Sequence, residues 1–174
     1  MGFVIPACIG ISFARNKGEV IGLCGDGALQ MNLASLQTIK HHNLPIKLFV
    51  WNNRGYLTMR NTQRNYFGRL IASSPETGVT FPNLEFISLA FGIKYFKAGN
   101  SKFLPKIIED VLEYNGPAIC EVMCLEEQTI MGVSGKQLPD GKYVSRPFED
   151  MAPFLDRKVF FENMIVKPLE ASYE

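Results

Sequence analysis

The feature that most constrains this chain is the stretch from Glu19 to Asn53, EVIGLCGDGALQMNLASLQTIKHHNLPIKLFVWNN. An apolar run, Glu19 to Cys24, ends in Gly25-Asp26-Gly27. Leu29, Leu33, Leu36 and Ile39 then recur at helical spacing as far as His42. Asn43-Leu44-Pro45 ends that helix, and a second apolar run, Ile46 to Trp51, ends in Asn52-Asn53. Strands that read as unbroken apolar runs are buried on both faces. Strand, helix, strand in this order is therefore a βαβ unit of a parallel sheet.

The same alternation runs through the rest of the chain. Residues 3 to 15 read as a buried helix with Pro6 in its first turn, and Asn16-Lys17-Gly18 as a turn. A helix is expected over 83 to 91 with Asn83 as its cap, a strand over 92 to 96, a helix over 101 to 114 and a strand over 118 to 123. Residues 54 to 82 show no clear period and are rich in Asn, Arg and aromatics; long irregular segments of this kind are often functional. From residue 126 onward the chain is turn-rich without a clear element. The expected fold class is a three-layer α/β/α arrangement on a mostly parallel sheet. Residues 1 to 125 would form its core and 126 to 174 a tail packed on that core or on a partner subunit.

With 47% hydrophobic and 20% charged residues, the 174-residue chain is expected to be globular and soluble. A net charge of +1 offers no electrostatic basis for binding nucleic acid or an anionic membrane, and no apolar run reaches membrane-spanning length. The N-terminus is apolar but lacks the basic leading region of a signal peptide. Cys8, Cys24, Cys120 and Cys124 read as reduced core cysteines, which fits a cytoplasmic protein. His41 and His42 are expected to face solvent, and Trp51 to lie in the core. Arg54, Arg60, Arg64 and Arg69 form a basic run, either solvated or at an interface, with one of them available to bind a substrate carboxylate.

The polar clusters carry the chemistry. In an open parallel sheet, ligands bind beyond the carboxyl ends of the strands. Gly25 and Gly27 let the backbone approach a ligand, and the helix expected from Leu29 would aim its free N–H groups at a phosphate. Asp26 alone would repel a phosphate unless a cation lay between them. Asp26 and the Asn53 amide are hard oxygen donors of the kind Mg²⁺ prefers, together with phosphate and water. A metal-bridged diphosphate between two adjacent strand ends is the chemistry this pattern supports.

Gly25-Asp26-Gly27, 24 intervening residues and Asn52-Asn53 resemble the diphosphate-binding signature of thiamine diphosphate enzymes. MGFVIPACIGISFA and the tail KQLPDGKYVSRPFEDMAPFLDRKVF resemble the acetolactate synthase large-subunit branch. The resemblance implies side-chain metal ligation by Asp26 and Asn53 and carbonyl ligation by Gly55. It places Gly25, Gly27, Ala28, Tyr56 and Leu57 near the diphosphate, and Met1 as a wedge beneath the cofactor's two rings. Ala28 replaces a Ser often found in the family, which removes one hydroxyl contact. The implied parent reaction is decarboxylation of a 2-keto acid with C–C bond formation, a transferase step of branched-chain amino acid biosynthesis, with FAD as a further possible cofactor. The glutamate that activates the cofactor would come from a separate pyrimidine-binding domain or subunit of a homo-oligomer, so this chain carries no catalytic residue of its own and is expected to be inactive alone. The family also has an element upstream of the Met-Gly-Phe helix, so the sheet here is expected to lack its first element. Lys136, Asp140 and Arg146 are candidates to close over the site. Two other readings remain open on the residues: the small subunit of a split 2-keto acid decarboxylase, and a non-catalytic module that binds the cofactor for assembly.

Overall fold

The computed structural model describes residues 1–128, 135–137, 141, 143–151 and 154–173. The chain divides into two compact units, Met1–Gln128 and Thr129–Glu174. The first runs α1 (Val4–Ala14), β1 (Val20–Gly25), α2 (Asp26–Gln30), α3 (Leu36–His42), β2 (Ile46–Asn52), α4 (Leu57–Phe67), α5 (Leu84–Ala90), β3 (Lys94–Ala98), α6 (Leu104–Glu113) and β4 (Ala118–Met123). The second holds a two-stranded antiparallel pair, β5 (Gly135–Gln137) with β6 (Tyr143–Ser145), and the helix α7 (Arg157–Asn163).

The four strands of the first unit form one all-parallel sheet in the order β1-β2-β4-β3. Side chains on successive strand residues alternate between faces, so Ile46, Leu48 and Val50 point one way and Lys47, Phe49 and Trp51 the other. The first set joins Val20, Cys24 and Ile119 in a core covered by Ile5 and Cys8 of α1, Leu29 of α2, Leu36 and Ile39 of α3 and Leu84 of α5. Gly22 allows α1 to lie this close, because a Cβ there would come within 2.7 Å of Cys8 Sγ and 2.8 Å of Leu48 Cδ2. On the opposite face, Val111 and Ile107 of α6 pack on Phe49, Ala118, Cys120, Phe96 and Val122. Helix layer, sheet, helix layer is the three-layer α/β/α architecture read from the sequence.

At the amino ends of the strands, Lys47 is fully buried. Its ammonium donates to the Tyr114 carbonyl and, at 2.6 Å, to the Gly116 carbonyl, with Glu19 at 3.9 Å. Burial lowers its pKa, and the Glu19 charge opposes that shift. The turn at residues 16 to 18 follows expectation, with Asn16 and Lys17 both at left-handed φ.

Several expectations are corrected. Helix begins at Asp26 rather than near Leu29, and it breaks before resuming as α3. Asn32 sits at φ −138°, outside helical geometry, and its side-chain amide donates to the Gly2 carbonyl, so a tertiary contact interrupts an apolar stripe of unbroken helical spacing. Residues 57 to 67, read as irregular, form α4, and the tail contains β5, β6 and α7. Trp51, expected in the core, is 51% exposed, because α6 covers β3, β4 and β2 but leaves the β1 side of that face open beside Ile21 and Leu23. The cysteines are unbridged as expected, three buried and Cys124 half-buried. Arg146 pairs with Asp150 within the second unit, and Asp140 lies outside the described residues. Among the described residues, no helix is long and apolar enough to cross a membrane.

Candidate functional site

β1 and β2 are adjacent and in register, with Gly25 opposite Trp51, so both strands deliver their polar ends to one place. Asp26 follows β1 directly and is 4% exposed. One carboxylate oxygen accepts the N–H of Gly27 at 2.7 Å and the other accepts the N–H of Gly55 at 3.1 Å. The second bond ties the Gly25-Asp26-Gly27 segment to the loop after β2. Burial raises the Asp26 pKa, while the backbone N–H groups of Gly27, Gly55 and Arg54 and the charge of Arg60 pull it down. Among the described residues, no ammonium or guanidinium forms an ion pair with this carboxylate.

The loop after β2 has an unusual backbone. Arg54 is at φ 54° and Gly55 at φ 151°. A Cβ on Gly55 would lie 2.2 Å from the Ser73 carbonyl oxygen and 2.4 Å from Arg60 Nη1, so only glycine fits. The turn is closed by Asn52, whose side-chain oxygen accepts the Arg54 N–H at 3.0 Å. Tyr56 follows, its N–H donating to the Ser73 carbonyl at 2.9 Å. Its ring meets Phe81 edge-on at 5.4 Å and lies over Gly27, where a Cβ would come within 2.3 Å of the ring.

Arg60 of α4 anchors this loop. It is 1% exposed, donates to the Ser73 carbonyl at 2.9 Å and to the carbonyls of Asn53 and Glu126, and its Nε faces Glu127 at 3.4 Å. The basic run therefore splits in a way the sequence did not indicate. Arg60 is structural and buried, Arg54 pairs with Glu126, and Arg64 grips both oxygens of Glu127, whose pKa it lowers. Thr77 braces the neighbouring segment, its hydroxyl accepting the N–H groups of Ser73 at 2.9 Å and Ser74 at 2.8 Å.

The sequence candidates thus divide. Asp26, Gly27, Gly55 and Tyr56 are brought into direct contact, and Asn53 joins them through its carbonyl on Arg60. Ala28 is half-buried against the core, Leu57 opens α4, and Gly25 ends β1. Met1 is 71% exposed, ahead of α1. A cavity of about 240 Å³ is lined by Asp26, Asn52, Arg54, Pro75, Thr80, Phe81, Pro82 and Leu84. Reading the sequence placed Arg60 only in the basic run, not as the buried anchor of the loop, and it missed Glu121. The latter had a usable signal, because it is the one charged residue in an otherwise apolar strand, AICEVM, where a carboxylate is buried only with partners.

The arrangement suits a hard cation. Among the described residues, no group of three His, Cys, Asp or Glu side chains could hold a metal ion. A buried carboxylate with no ion-pair partner among the described residues is a hard oxygen donor of the kind that could hold Mg²⁺.

Residues 1–122 match the family model described as "Thiamine pyrophosphate enzyme, C-terminal TPP binding domain". The acetolactate synthase large subunit of Porphyra purpurea is 34% identical over 128 residues, covering 74% of this chain and 22% of that protein. The chloroplastic acetolactate synthase of Arabidopsis thaliana is 29% identical over 136 residues, covering 75% of this chain and 20% of that protein. The mitochondrial acetolactate synthase of Schizosaccharomyces pombe is 27% identical over 130 residues, 75% of this chain and 19% of that protein. The chain spans about a fifth of the length of these curated relatives.

Proposed function

The chain belongs to the thiamine pyrophosphate enzyme family, as its C-terminal TPP-binding domain, and from that premise we propose that it holds thiamine diphosphate through a Mg²⁺ ion at the ends of β1 and β2. Asp26 by its carboxylate, Asn53 by its amide oxygen and Gly55 by its main-chain carbonyl are the protein's metal ligands in this reading. Gly25, Gly27, Ala28, Tyr56 and Leu57 border the diphosphate, and Met1 supports the organic part of the cofactor. The observation that carries the reading is Asp26, a buried carboxylate bridging two strand ends with no ion-pair partner among the described residues.

Bound thiamine diphosphate supplies an electron sink for the decarboxylation of a 2-keto acid. The residues of this chain bind and orient it. Gly27 and Gly55 bring main chain close, Tyr56 and Phe81 wall the site, and Arg60 fixes the loop that carries the ligands. The parent reaction is acetolactate synthase-like, joining the decarboxylated fragment to a second keto acid. The activating glutamate comes from a pyrimidine-binding domain or subunit, so the isolated chain does not turn over.

Calorimetric titration of the assembled protein with thiamine diphosphate, with and without Mg²⁺, tests the reading. Asp26→Ala is expected to abolish the Mg²⁺-dependent part of the binding; undiminished Mg²⁺-dependent affinity would sink the assignment. The isolated chain is expected to release CO₂ from pyruvate only after a pyrimidine-domain partner is added.

A further inference from the structure

The loop that carries Asn53 and Gly55 is held from the sheet side by a carboxylate to which the binding reading gives no role. Glu121 lies in β4, the strand next to β2, and is 5% exposed. It points to the same face as Val50, its register partner, and so towards Asn52 two residues further along β2. One of its oxygens accepts the Asn52 side-chain N–H at 2.6 Å. The other accepts the Tyr95 hydroxyl at 2.5 Å, and Lys97 Nζ lies 3.5 Å away. Each carboxylate oxygen therefore has its own donor.

The consequence lies in which way the Asn52 amide faces. An amide presents oxygen on one side and NH₂ on the other, and either could face a neutral partner. An ionised carboxylate only accepts, so the NH₂ of Asn52 must face Glu121. Its oxygen must then face the opposite way, towards the Arg54 N–H, which it accepts at 3.0 Å. That bond closes the turn that places Arg54 at φ 54° and Gly55 at φ 151°. The Gly55 N–H, from the same turn, donates to Asp26. Hydrogen bonds run from Glu121 to Asn52 and from Asn52 to the Arg54 N–H, the main chain carries the link to Gly55, and the Gly55 N–H completes it on Asp26.

We propose that Glu121 is a positioning residue for the metal loop: by fixing the orientation of the Asn52 amide, it sets the turn that presents Asn53 and Gly55 to the cation. This rests on the Mg²⁺-binding reading above. Outer partners of metal ligands commonly change metal affinity by about 10- to 100-fold when removed.

The test uses the assembled protein with thiamine diphosphate and Mn²⁺ in place of Mg²⁺, so that metal affinity and the Mn²⁺ electron paramagnetic resonance spectrum are both read. Glu121→Leu is expected to weaken Mn²⁺ by about 10-fold or more and to alter the spectrum. Asn52→Ala should do the same, and the double variant should be no worse than either single one, because both cut the same chain of contacts. Glu121→Gln should weaken Mn²⁺ less than Glu121→Leu, because it can still bond Asn52 but no longer fixes which way that amide faces. Its amide oxygen can accept from Asn52, while its NH₂ can donate to the Tyr95 hydroxyl, which accepts as well as donates. Additive losses, or unchanged Mn²⁺ affinity in both single variants, would overturn the proposal. Should Glu121→Leu fail to fold, Asn52→Ala decides, because it leaves Glu121 bonded to Tyr95; unchanged affinity there overturns it equally. Asp26→Ala measured alongside separates the two levels. If it loses Mn²⁺ while the Glu121 and Asn52 variants keep it, only the positioning role falls. If Asp26→Ala itself keeps Mn²⁺, the binding reading falls, and the positioning role with it.

Discussion

Arg60 is a cation buried at 1% exposure, and its partners are mostly main-chain carbonyls, those of Ser73, Asn53 and Glu126. A charged donor to a carbonyl makes one of the stronger protein hydrogen bonds, and its loss leaves a buried acceptor unsatisfied. Arg60→Met keeps the stem and removes the charge, so it should cost about 3 kcal/mol of stability, read as a lowered midpoint in urea with the slope unchanged. A cost under about 0.5 kcal/mol, the usual level for surface positions, would show that the guanidinium is solvated. The sequence does not disclose this role, since arginine is almost never fully buried and three other arginines stand nearby. The position of Asp26 was legible for the opposite reason. A small carboxylate directly after an apolar strand has few purposes, and the parallel register sets the end of β1 beside the end of β2.

At the level of elements, strands were easier to read than helices. β2 and β4 are apolar runs bounded by turn residues, and α5 starts where Asn83 accepts the Phe86 N–H at 3.1 Å. α4 escaped because its buried side chain is Arg60, so LTMRNTQRNYF shows no apolar stripe although one face is packed. The break between α2 and α3 escaped because it depends on Asn32 reaching Gly2, a contact 30 residues distant. α7 depends on a charge cluster in the same way. Asp150, 3% exposed, receives two guanidinium bonds from Arg157 at 2.8 Å and one from Arg146 at 2.6 Å. The Arg157 hydrogen bonds, then Arg146, hold its pKa below the usual carboxylate value. A group whose folded pKa is depressed stabilises the fold above its unfolded pKa and loses that contribution as pH falls through the folded one. α7 should therefore lose amide-exchange protection as pH drops below about 4. Asp150→Asn should remove that pH dependence and lower protection at neutral pH. Equal acid sensitivity in both proteins would show that the cluster is not what secures the helix.

At the scale of the first unit, the two faces of the sheet are covered unequally, and the difference is measurable. Leu48 faces the α1, α3 and α5 layer and is 1% exposed. Leu23, on the neighbouring strand and the opposite face, is 53% exposed, beside Ile21 at 52% and Trp51 at 51%. These three residues, with Phe49, Val122 and the α6 residues Leu104, Ile108 and Leu112, line an open cavity of about 270 Å³. Apolar periodicity cannot reveal this asymmetry, because strands buried on two faces and strands waiting to be covered on one read alike. Leu48→Ser should cost about 3 kcal/mol or more, combining lost burial with an unpaired hydroxyl in the core. Leu23→Ser should change the stability of this chain by less than about 1 kcal/mol, because the leucine has little burial to lose. Trp51 is the single tryptophan, so its fluorescence reports on this face without interference. Its emission from this chain should lie at long wavelength and be readily quenched by acrylamide. If Leu23→Ser costs as much as Leu48→Ser and Trp51 resists quenching, the face is covered in solution, and α6 is not the last layer on that side of the sheet.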